Sequence, residues 1–103
     1  MTFEDFERSV TGASPPGDLS PALTALWHDA RGDWEAAHAV AQDIDSATGA
    51  WVHAYLHRKE GDLANAAYWY RQAGRRPATG DLTEEWRAIV HALLQAAPAS
   101  GYR

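Results

Sequence analysis

His28-Asp29-Ala30-Arg31-Gly32-Asp33-Trp34-Glu35-Ala36-Ala37 and His57-Arg58-Lys59-Glu60-Gly61-Asp62-Leu63-Ala64-Asn65-Ala66 follow one local plan, and that plan decides the fold. Gly32 and Gly61 stand 29 residues apart, and the same offset superposes Ala25 on Ala54, His28 on His57 and Ala37 on Ala66. In each copy glycine ends a helix in the left-handed conformation that costs it least, and the aspartate after it caps the next helix. The chain therefore repeats a helix, a Gly-Asp turn and a helix, over residues 21–44 and again over 48–74.

Outward from this pair the remaining elements are helical as well. Thr2 caps a short first helix carrying Phe3, Phe6 and Val10, and Gly12 stops it. Ala13-Ser14-Pro15-Pro16-Gly17 is a linker, after which Ser20 and Pro21 start a second helix. The helices expected are 21–31, 34–44, 48–60, 63–73 and 82–97. The last has Asp81 and Glu84 at capping-box spacing and apolar Trp86, Ile89, Val90, Leu93 and Leu94 at i, i+3, i+4, i+7, so it reads as a capping helix for the stack. The expected fold class is all-α, one domain over residues 1–103.

Composition narrows the function classes. The 103 residues are 46% hydrophobic and 22% charged, enough for one modest core. A net charge of −5 argues against nonspecific nucleic-acid binding, which needs clustered Lys and Arg. There is no cysteine, hence no disulfide framework and no thiolate metal site. The N-terminus is acidic and no apolar run approaches the roughly 20 residues of a membrane span, so the sequence reads as soluble and cytoplasmic, with no nucleic-acid or membrane partner. No Gly-rich phosphate loop or recognisable nucleophile setting occurs, so no catalytic residue and no cofactor is expected.

The stretch Gly61-Asp62-Leu63-Ala64-Asn65-Ala66-Ala67-Tyr68-Trp69-Tyr70-Arg71-Gln72-Ala73, with Pro77 beyond, resembles the second half of a tetratricopeptide or Sel1-like repeat. Ala66, Tyr70 and Ala73 take its small, aromatic and small positions, whereas the first unit has Ala41 where an aromatic belongs, and the 29-residue period is shorter than the usual 34. The resemblance implies an α/α superhelix whose concave groove grips an extended peptide. Residues 53–74 also resemble a group of short bacterial proteins, which implies no activity.

Three groups of residues are candidates on this basis. Trp51, Tyr55, Arg58 and Lys59 would line the implied groove, and basic beside aromatic side chains suit an acidic or C-terminal carboxylate partner. The competing reading of Trp51 and Tyr55 is plain core. His53, His57 and Glu60 share a face at i, i+4, i+7, a spacing by which one helix offers three metal ligands. The bland account of the same histidines turns them inward as structural groups against Ala66 and Tyr70, and His38 and His91 stand alone without an obvious partner. Tyr68, Trp69 and Tyr70 are consecutive, point about 100° apart and cannot share one core, so they form a candidate homodimer or partner interface. The leading functional expectation is a noncatalytic adaptor; the alternatives are a small metal-dependent or acid–base enzyme and a structural homodimer subunit.

Overall fold

The computed structural model of the chain describes residues 1–96. Its helices are α1 (Phe3–Ser9), α2 (Pro21–Ala30), α3 (Trp34–Ala41), α4 (Ala47–Glu60), α5 (Leu63–Ala73) and α6 (Leu82–Ala96), and no strand occurs among the described residues. Residue 97, the expected end of the last helix, lies outside them. No helix among these residues is long and apolar enough to cross a membrane.

The helix starts have local chemical causes. Thr2 and Asp5 form a reciprocal capping box on α1, and the side chains of Ser20, Asp33, Ser46 and Asp62 accept from the backbone N–H three residues on. Each such cap contributes about 1 kcal/mol by satisfying an otherwise orphaned donor. Gly32 and Gly61 both adopt positive φ, +81° and +92°, which is why glycine and no larger residue punctuates both copies of the plan.

One boundary departs from expectation by more than a residue. Helix α3 ends at Ala41, three residues before the expected 44, because Ile44 folds back over the first turn of α4. A Cβ on Gly49 would collide with the Ile44 carbonyl oxygen and sit 2.6 Å from the Ile44 Cβ, so the absent side chain at 49 is what lets the turn at 42–46 close.

Helices α2 with α3 and α4 with α5 form two closely packed hairpins; α3 lies against α4 and so joins them, while α6 crosses both α2 and α4. The alanines that the 29-residue offset superposes, Ala25 with Ala54 and Ala37 with Ala66, are all buried at these seams, where small side chains allow close helix approach. Helix α1 docks on α6: Phe3 stacks on His91 at 4.3 Å and buried Phe6 tilts against Trp86 at 5.9 Å. Trp27 Nε1 donates to the Ser9 carbonyl at 3.1 Å, and the Arg31 guanidinium donates to the carbonyls of Val10 and Gly12.

Helix α4 is the axis of the molecule, buried on every side from Gly49 to His57. A helix buried all round is normally apolar all round. This one carries Tyr55, His53 and His57, so each polar group must find a partner inside the protein.

Candidate functional site

The expected groove across Trp51, Tyr55, Arg58 and Lys59 is filled by the protein's own side chains. Tyr55 is 2% exposed and Trp51 is 9% exposed, the latter covered by the Arg75 guanidinium at 3.3 Å from its ring centroid. The two cations turn toward buried carboxylates on neighbouring helices and not toward a ligand. Lys59 Nζ donates to Asp29 Oδ1 at 2.8 Å, and Tyr55 Oη donates to Asp29 Oδ2 at 2.8 Å. Arg58 donates to Glu85 Oε1 at 2.9 Å, and Tyr70 Oη donates to Glu85 Oε2 at 2.6 Å. Burial, reinforced by the facing carboxylates, pushes both phenols well above their ordinary value, so both remain donors. Two clefts stay open beside these residues, one of about 450 Å³ between α1, α2, α4 and α6, bordered by Lys59, Trp86 and Leu82, and one of about 240 Å³ bordered by Trp51 and Arg75.

On the other flank of α4 lies a different cluster. His53 and His57, one turn apart, stack at 4.8 Å, and His38 from α3 enters edge-on to both, at 4.7 Å from the His53 ring and 5.2 Å from the His57 ring. His38 Nε2 lies 3.0 Å from His53 Nε2. One ring nitrogen of each of the three lies within 4.8 Å of the others. Two indoles bracket the cluster: Trp34 stacks on His38 at 4.8 Å and Trp69 on His53 at 4.1 Å.

The hydrogen bonds assign the protons. A carboxylate only accepts, so the 2.7 Å contact of His57 Nδ1 with Glu60 Oε2 puts a proton on Nδ1, and in the neutral ring Nε2 then carries the lone pair. Asn65 Nδ2 approaches that Nε2 at 3.4 Å, as a donor would. Burial lowers the pKa of His53 to about 4, with His38 and His57 adding to the effect, and burial also lowers His38. His53 and His38 are therefore held toward the neutral imidazole, the protonation state in which histidine binds a metal.

These placements revise the sequence expectations in several respects. His53 and His57 do turn inward, and on α5 they meet Trp69 and Asn65. Glu60 orients His57 through Nδ1, and the third imidazole at the cluster comes from His38, for which no partner was expected. Nothing in the repeat offset marks His38, since its equivalent position is Ala67. The available signal was a pair of i, i+4 spacings on consecutive helices, Trp34 with His38 and His53 with His57. The three consecutive aromatics split as their 100° spacing demands: Tyr70 is core, Trp69 covers His53, and Tyr68 is 45% exposed with Arg71 over its ring. Tyr68 is thus the most exposed of the three, with Trp69 half-buried.

No protein-family model, curated protein or solved structure matches the chain.

Proposed function

We propose that this chain is a helical metal-binding protein in which His38, His53 and His57 hold one divalent transition-metal ion. The observation that carries the reading is the convergence of three imidazole nitrogens within 4.8 Å, contributed by two helices. Tetrahedral Zn–N bonds of about 2.0–2.1 Å require ligand nitrogens about 3.3 Å apart, close to the spacing between His38 and His53. Glu60 on His57 Nδ1 supports it further, because metal-bound histidines commonly donate their second ring N–H to a carboxylate. All-imidazole donors suit zinc, copper and nickel, and not calcium or magnesium. The peptide-binding reading draws no support from Trp51, Tyr55, Arg58 and Lys59, which are spent on internal contacts.

The test is titration of tag-free protein with Zn²⁺ and Cu²⁺, followed by calorimetry and by tryptophan fluorescence, which bound Cu²⁺ quenches in Trp34 and Trp69. One ion per chain is expected, with affinity at least tenfold weaker in His38→Ala and in His53→Ala. Absence of saturable binding, or equal binding by the folded variants, overturns the reading.

A further inference from the structure

We infer that the ion held by His38, His53 and His57 keeps an exchangeable fourth position that takes a small oxyanion or nitrogen anion. This rests on the metal reading above and goes beyond it, since a structural site would be closed by a fourth protein ligand. The donor inventory is short. Among the described residues, no carboxylate or further imidazole joins the three histidines; Glu60 and Asp62 gather instead around His57. Glu60 is committed to Nδ1, on the opposite side of the ring from Nε2. Three nitrogens with no fourth histidine, cysteine or carboxylate among the described residues leave a tetrahedral ion one position short, which water, hydroxide or an added anion can fill.

Asn65 narrows the choice. Its Nδ2 donates toward the lone pair of His57 Nε2 at 3.4 Å. Once an ion takes that lone pair, the amide keeps its hydrogens and loses its acceptor, right beside the ion. A half-buried donor in that position favours an ion-bound atom that can accept, and a bound anion accepts more strongly than neutral water. The positive charge of the ion and three neutral imidazoles leave the centre cationic, which also favours an anion.

There is a route in. His53 and Trp69 form part of the wall of a cleft of about 440 Å³ between the turn at 42–46 and α5, together with Gln42, Asp45, Ser46 and Gln72. At about 30 Å³ per water molecule, a cleft of this size admits solvent and a triatomic anion. His38 is itself only half-buried, so the cluster is not sealed by apolar packing.

Cobalt distinguishes the outcomes, because the visible bands of Co²⁺ report coordination directly. Tag-free protein loaded with Co²⁺ is titrated with azide and, separately, with acetohydroxamate. The expected result is a saturable change in the Co²⁺ bands with one anion per ion. In Asn65→Ala the Co²⁺ affinity should stay within about twofold while azide binds about fivefold to tenfold more weakly, the value of one hydrogen bond. A Co²⁺ spectrum that forms with the wild-type chain and does not respond to either anion shows a closed site and overturns this inference alone. Failure of Co²⁺ to bind at all overturns the metal reading and this inference with it.

Discussion

On the flank of α4 that faces α2 and α6, donors meet acceptors: Tyr55 and Lys59 converge on Asp29, and Arg58 and Tyr70 converge on Glu85, whereas on the flank that faces α3 and α5 three imidazoles meet one another. The first arrangement is saturated. Charge is balanced within it, every carboxylate oxygen that it uses is taken, and removal of one member strands another in low dielectric. The second combines groups of a single kind, and one ring nitrogen of each lies within 4.8 Å of the others. Saturated networks of opposites hold helices together, while clusters of like donors retain capacity for something else. The same helix does both, one function per flank.

Four experiments break or sharpen that contrast. The largest effect is expected for Glu85→Ala, which leaves the Arg58 guanidinium and the Tyr70 hydroxyl without their shared acceptor; unfolding in urea should show a loss of about 3–5 kcal/mol. Next is Gly49→Ala, whose Cβ drives Ile44 away from α4 and pries the α3–α4 seam. A loss of about 1–3 kcal/mol is expected, and metal affinity should fall with it, because the same seam brings His38 to His53. A Gly49→Ala protein that binds metal as well as the parent would break the link between turn and cluster.

Alkali probes the saturated flank alone. The Tyr70 hydroxyl is raised above its ordinary pKa of 10.0 by burial and by Glu85, so the unfolded chain loses that proton first. Stability from this group is whole below pH 10 and declines as pH rises, by about 1.4 kcal/mol at pH 11. Urea melts across that range in wild type and Tyr70→Phe should diverge accordingly, and parallel curves would count against a buried Tyr70–Glu85 bond. The smallest effect on stability is expected for His38→Ala, below about 1 kcal/mol because the ring is only half-buried, even though metal binding should suffer most. A large loss of stability in His38→Ala would move the histidines into the structural class.

The contrast also explains which parts of the molecule were legible in the sequence. Caps, the Gly-Asp turns and the buried alanines depend on neighbours within a few residues or on the repeat offset, and Ser20, Asp33, Asp62, Gly32 and Gly61 perform as their types demand. The internal contacts of Lys59 and Arg58 are not legible because their partners, Asp29 and Glu85, arrive from other helices with no periodicity to announce them. His38 was missed for a related reason. Its direction relative to α4 depends on where α3 stops, and α3 stops early on account of a close approach between Ile44 and Gly49. Local chemistry is written in local sequence; the rotation of one helix against the next is a sum over many such details.

The docking of α1 on α6 bears on how the chain is made. Phe3 and Phe6 leave the ribosome long before the residues that pack on them, His91 and Trp86. Both hairpins close over short loops and can form while synthesis continues, but Phe6 lacks its contact with Trp86 until α6 has emerged. Until α6 emerges, the amphipathic α1 therefore lacks the aromatic surface that its two phenylalanines pack on.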